Sequence, residues 1–298
     1  MNDDKQKSAG KQIRSITYLS IAINIALSVV KIVIGLFTAS LALMADGLHS
    51  LSDLATDAAV LVGLRLGSKA PDKEHPYGHG RLETFSAGSI AVVLMLVGGA
   101  MIYYASIAIA RNEVTIPRLA VLVAAIVSIA SKEWLYRVTQ RIAIQSHSTA
   151  LYANAWHHRS DALSSVAVVI GFISLKLGFG HGDQVAAIAV GLMIIWVGVK
   201  IVGDSMRELT EGAVDEGTIE HIKRIINANS QIRQWHRLRT RTVGREVFLD
   251  LHILVDPTLN IAAAHEISES LENALDEQIS RPVNITVHIE PDIPALRK

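Results

Sequence analysis

Six apolar runs, each long enough to cross a lipid bilayer, fill the first two thirds of this chain. A transmembrane helix needs about 20 predominantly apolar residues. Runs of that kind occupy residues 13–37, 40–66, 83–110, 116–136, 149–177 and 184–203. Hydrocarbon offers no water to backbone amides, so spans of this composition must be helices. The expected fold is an α-helical membrane protein over residues 13–207, preceded by a polar, lysine-bearing tail over residues 1–12. Beyond Asp204 the composition turns charged, and residues 208–298 read as a separate soluble domain.

Basic residues orient the spans. Lys5, Lys7, Lys11 and Arg14 stand at the start; Arg65, Lys69, Lys73 and Arg81 lie between the second and third runs; Arg137 and Arg141 follow the fourth. The alternate links are poorer, with Arg111 and Arg118 around the third-to-fourth connection. An even number of spans then puts both termini and the terminal domain in the cytoplasm. The first span is expected to serve as the signal anchor, because no small-residue cleavage site follows a short apolar core. Basic and acidic residues balance at 28 each, so no nucleic-acid footprint is visible. The chain has no cysteine, which excludes disulfides, thiolate zinc sites and iron–sulfur clusters and disfavours Cu(I) as cargo.

Two His/Asp pairs with helical spacing lie inside these runs: His49 and Asp53 in the second, His157 and Asp161 in the fifth. An ionisable side chain at the bilayer centre costs roughly 2.5–3.5 kcal/mol on insertion scales, so such residues usually carry function. Residues i and i+4 project from one helix face. Each pair therefore offers one imidazole and one carboxylate to a partner. Two such helices side by side make a four-ligand site suited to Zn²⁺ and open to Co²⁺, Cd²⁺, Fe²⁺ or Mn²⁺. The competing reading is interhelical hydrogen bonding alone; two matched pairs favour metal. Asp46 and Asp57 lie on the same side of the second span, where they would line a path to the site or supply protons. His158 is one residue off the stripe and is expected at the membrane surface or behind the ligands. Lys31 is expected to snorkel outward. Asn24 serves either as interhelical glue or as part of the path.

Between the second and third spans, Asp72, His75 and His79 form a second metal-binding candidate, with a solvated charged loop as the alternative. Glycine and proline make this a turn, so helical spacing does not apply. In the terminal domain, helical periodicity covers residues 215–228 and 261–278. Alternation predicts strands at 234–242, 246–255 and 282–289, with a turn at 243–245. The result is an α-β-β-α-β, open α+β sandwich of the ferredoxin-like kind. Its candidate ligands are His236, His252, His265 and His288, and Glu290 shares a strand face with His288.

Three stretches, LMADGLHSLSD at 43–53, HPYGHGRLE at 75–83 and WHHRSD at 156–161, together with the terminal pattern, resemble the cation diffusion facilitator family. The resemblance covers nearly the whole chain. It is nearest to bacterial zinc and iron exporters, with some likeness to the magnetosome branch. It implies a homodimeric metal/proton antiporter, not an enzyme, that exports metal from the cytoplasm. It implies a transport site at His49, Asp53, His157 and Asp161, a loop site at Asp72, His75 and His79, and a two-metal regulatory site at His236, His252, His265, His288 and Glu290. Asp250 matches a metal-binding position of the magnetosome branch. Some relatives carry Asp in place of His49, and histidine on both helices resembles the zinc-preferring type. Zn²⁺ is therefore the leading cargo and regulatory ligand, followed by Fe²⁺ and then Mn²⁺, Co²⁺ and Cd²⁺. Another relative has Asp where Glu290 stands. A dimer-locking lysine–aspartate pair of relatives corresponds to Arg81 and Glu211, expected to form an interspan salt bridge. Two rivals stand beside this reading. One is a membrane metalloenzyme, whose nearest motif, His265-Glu-Ile-Ser-Glu269, lacks the second histidine of His-Glu-x-x-His. The other is a metal-regulated membrane scaffold with little transport.

Overall fold

The computed structural model describes residues 2–37, 53–112 and 119–297. It divides into two compact units, residues 10–206 and residues 207–298 with the N-terminal segment. The first unit is built from six helices among the described residues: α1 (Asn2–Phe37), α2 (Leu54–Gly67), α3 (Arg81–Ala110), α4 (Leu119–Gln145), α5 (Thr149–Lys176) and α6 (Gly182–Leu209). Segments Gly10–Val33, Arg81–Ala110 and Gln184–Leu209 are long and apolar enough to cross a membrane. Charged residues lower the hydropathy of α4 and α5: Lys132, Glu133, Arg137 and Arg141 on one, Arg159 and Asp161 on the other.

The bundle is inside-out relative to a soluble protein. Leu96 (69% exposed), Tyr104 (70%) and Trp196 (66%) face outward, whereas Asp57, His158 and Asn154 are wholly buried and Lys132 is 1% exposed. Lipid accepts the apolar surface, and the polar groups find partners only between helices. Small and branched residues fill the remaining interior, among them Val60, Ala87, Ala91, Leu135, Ala153 and Ile194. The most extensive pairing is α4 along α5.

Several expected bounds shift. Helix α1 begins at Asn2 rather than Ile13, and α4 runs on past Tyr136 to Gln145. Polar and basic residues continue both helices because a helix satisfies its own backbone wherever it emerges from hydrocarbon. Lys31 does not snorkel: it is 4% exposed, and its Nζ donates to Ser128 Oγ at 3.4 Å.

The second unit has helices α7 (Glu216–Ala228) and α8 (Ile261–Gln278) and strands β1 (Gln234–Val243), β2 (Glu246–Val255) and β3 (Val283–Pro291). Asp215 caps α7 by accepting the Thr218 N–H at 3.0 Å, and Asn260 caps α8 by accepting that of Ala263 at 2.8 Å. The strand order is β1-β2-β3, antiparallel then parallel. Alternation decides the layers. Leu249, Leu251 and Ile253 point into a core shared with Ile222 and Ile226 of α7 and Leu271 and Leu275 of α8. The opposite sheet face carries Phe248, Asp250 and His252. Gly244, at φ 59°, starts the two-residue turn between the paired Val243 and Glu246. The expected α-β-β-α-β order stands, and the α8 bounds coincide with the periodicity.

Candidate metal centre

Three candidate ligands, two carboxylates and one imidazole, converge inside the helical unit. Asp53 stands at the start of α2, and His157 and Asp161 lie one turn apart on α5. One ligand atom from each lies within 4.8 Å of the others. His157 Nε2 is 3.4 Å from Asp53 Oδ1 and 3.8 Å from Asp161 Oδ2. Neither ring nitrogen of His157 has a hydrogen-bond partner among the described residues, although the residue is 5% exposed. A buried imidazole set between two carboxylates without a hydrogen bond among the described residues fits a metal ligand better than interhelical glue. His49 and Asp46 lie outside the described residues.

Sequence reasoning passed over Lys132. Its ammonium, on α4, lies 2.8 Å from Asp53 Oδ2 and 2.9 Å from Asp161 Oδ2. The signal was available, since a lysine within the fourth apolar run is costly unless paired.

Deeper in the bundle, Asp57 is a hub for three helices. It accepts from Ser20 Oγ at 2.9 Å and Asn24 Nδ2 at 3.0 Å on α1, and from Asn154 Nδ2 at 2.7 Å on α5. His158 Nε2 lies 3.1 Å from Ser20 Oγ and 3.9 Å from Asp57. His158 is thus fully buried behind the ligands rather than at the surface, because adjacent residues on a helix diverge and α1 covers its side. Asn24 faces this interior, and Asn154 was not singled out by spacing.

The loop preceding α3 brings Asp72, His75 and His79 into a second group. Asp72 Oδ1 accepts the backbone N–H groups of Glu74 at 3.0 Å and His75 at 2.7 Å, closing a tight turn. His75 Nδ1 lies 3.5 Å from Asp72 Oδ1, and His79 Nε2 lies 3.4 Å from Oδ2. The His75 N–H holds the Asp72 carboxyl below its ordinary value, with further help from the Glu74 N–H and the two imidazoles against partial desolvation.

In the terminal unit, pairing puts His236, His252 and His288 in one row across the three strands. Glu290 faces all three. Its Oε1 is 2.8 Å from His252 Nδ1 and 3.5 Å from His288 Nε2, and its Oε2 is 3.3 Å from His236 Nε2. Hydrogen bonding to His252, opposed by desolvation and aided by the charges of His236, His252 and His288, lowers the Glu290 pKa. His236, His252 and Glu290 have metal-ligand proximity. An extra residue in β1 between His236 and Arg239 forms a bulge, with Arg237 at φ 54°. His265 is not drawn into this row: on α8 its Nε2 lies 3.3 Å from Glu269 Oε1. Asp250 pairs with Arg239, one step along the open face. Glu211 has a partner in its own unit, with Oε2 3.8 Å from Arg241 Nη1; Arg81 opens α3 of the other unit.

These features define a helical membrane protein with imidazole–carboxylate clusters and an appended α+β domain. Residues 17–210 match the family described as cation efflux transmembrane domain, and residues 214–292 match the cation efflux protein cytoplasmic domain. The chain belongs to this family, the cation diffusion facilitators, and is a divalent metal cation efflux transporter. It is 35% identical to metal tolerance protein C1 of Arabidopsis thaliana, covering 95% of this chain and 63% of that protein. It is 29% identical to magnetosome protein MamB of a Magnetospira species, over 90% of this chain and 92% of the relative. It is also 29% identical to the manganese efflux system protein MneP of Bacillus subtilis, over 93% and 96%.

Proposed function

We propose that this protein exports Zn²⁺ from the cytoplasm in exchange for protons, by alternating access around Asp53, His157 and Asp161, with His49 as the fourth ligand. The observation that carries the reading is the buried His157 ring, set between the two carboxylates with no hydrogen bond among the described residues. Imidazole with carboxylate oxygens suits Zn²⁺. Metal ligands must be deprotonated, so metal and protons compete for the same groups, and proton entry from outside releases the cargo. The protein acts as a homodimer in the bacterial inner membrane, with both termini cytoplasmic. Metal in the His236–His252–His288–Glu290 row, and in the Asp72 loop, regulates it. The double substitution His252→Ala/His288→Ala tests that role, which fails if the metal dependence of transport is unchanged.

A second cargo reading, Mn²⁺, is favoured by the likeness to MneP, which is named for manganese efflux. One experiment addresses both. Full-length protein is reconstituted in vesicles with an internal metal-sensitive dye and an imposed pH gradient, and Zn²⁺, Mn²⁺, Fe²⁺, Co²⁺ and Cd²⁺ are compared. The proposal expects Zn²⁺ flux that follows the gradient and is lost in Asp161→Ala. Equal flux in that variant would sink the site assignment. Flux of Mn²⁺ alone would transfer the reading to manganese.

A further inference from the structure

The ammonium of Lys132 stands where a cargo ion would. It bridges Asp53 Oδ2 and Asp161 Oδ2 at 2.8 and 2.9 Å, and it is 1% exposed. His157 completes the same enclosure from α5. Resting on the reading of this cluster as the transport site, we propose that Lys132 is a tethered cation that fills the cargo position whenever the metal is absent. Metal binding and release then proceed by exchange with its ammonium.

The argument is one of charge and distance. Two carboxylates buried together repel each other and need a counter-charge in the bundle interior. A divalent ion supplies it when bound, and Lys132 supplies it in the empty site. The two cations cannot share the position. A transition metal binds carboxylate oxygen at about 2.0–2.2 Å, roughly 0.7 Å closer than the ammonium sits. It would claim the oxygens to which Lys132 donates, with like charges then in contact. Lysine suits such a device, being a compact point charge on a four-carbon stem that can withdraw and return. Its return opposes tight binding and speeds release. A lysine that merely ties α4 to α2 and α5 would instead support metal binding, by holding the ligands in place.

The two roles predict opposite signs. Metal affinity is measured on the purified full-length chain with Zn²⁺ and a competing fluorescent chelator. The membrane site is identified as the binding lost in Asp161→Asn. In Lys132→Met, and in Lys132→Gln, which keeps a hydrogen-bond donor without the charge, that site should bind Zn²⁺ about tenfold or more tightly, because a competing cation is gone. Turnover at saturating metal should fall. Unchanged or weaker affinity in a folded Lys132→Gln protein overturns the proposal while leaving the cargo site standing. Zn²⁺ binding that survives intact in Asp161→Asn overturns the cargo site itself. Should neither lysine variant fold, the unaltered chain decides. Modification of Lys132 by a small membrane-permeant imidoester, read by peptide mass spectrometry, should accelerate at saturating Zn²⁺. Unchanged or slower modification refutes exchange.

Discussion

A Cβ on Gly98 would lie 2.8 Å from the Gly191 carbonyl oxygen, and one on Gly191 would lie 2.7 Å from the Gly98 carbonyl oxygen. The two glycines therefore set the spacing of α3 and α6. Close backbone approach at small residues is how helices gain packing energy where lipid removes the hydrophobic drive. Gly98→Ala or Gly191→Ala should cost roughly 1–3 kcal/mol, as overpacking does. A Cβ on the neighbouring Gly99 meets nothing within 4 Å. Gly99→Ala should stay within about 0.5 kcal/mol of the unaltered chain. Thermal unfolding of the three variants in one detergent checks this; equal melting temperatures would contradict it.

The Glu290 carboxylate is the acidic group shared by the histidine row, and its Oε2 has no hydrogen-bond partner among the described residues. Glu290→Ala should lower the Zn²⁺ retained after desalting by about one ion per chain, since the three imidazoles hold zinc less firmly without the anion. Glu290→Asp should retain metal with altered geometry. Elemental analysis against protein concentration gives the answer, and an unchanged ratio in Glu290→Ala would exclude the row as a metal site.

Asp292 couples terminal-domain stability to pH. Hydrogen bonding from Arg297, then the charges of Arg297 and Arg233, hold its carboxyl below the ordinary value of 3.8, against desolvation. A carboxyl with a lower pKa in the folded chain stabilises that chain fully above the unfolded value. The contribution disappears as pH falls through the folded value. Arg297→Ala should therefore be less stable than the unaltered chain at neutral pH, and the difference should close below 3.8. Chemical denaturation across that range measures it; a gap that persists in strong acid would assign the effect to packing.

Arg237 occupies left-handed backbone at the β1 bulge, φ 54°, a conformation that costs a side-chain-bearing residue roughly 1–2 kcal/mol. Arg237→Gly should relieve part of this and raise stability by up to about 1 kcal/mol, with the histidine row intact. Arg237→Val should destabilise. A glycine variant that melts lower would show that the arginine side chain contributes more than its backbone costs.

The paired spacing of His157 and Asp161 was legible because one helix fixes their relation. So were the α8 periodicity and the alternation of β2, whose apolar residues became the core. Lys132 was not assigned a role, although its place in an apolar run was visible, because its partners lie on other helices. The bulge at Arg237 did leave a mark in the alternation: the core-facing Trp235 and Leu238 stand three residues apart, an odd spacing that one extra residue produces. His265 shows the converse. Its residue type matched the row, yet the α8 position pairs it with Glu269.

The linear order of residues by itself determined that this chain is a helical membrane protein with an α-β-β-α-β domain, because hydropathy and period act over a few neighbouring residues. It also determined which imidazoles and carboxylates were candidates. Only the tertiary structure decided that an ammonium from α4 bridges Asp53 and Asp161, that Asp57 gathers donors from α1 and α5, and that strand register lines up His236, His252 and His288. Those relations depend on how each helix is rotated and how each strand is paired, and both are settled by packing between segments far apart in the chain.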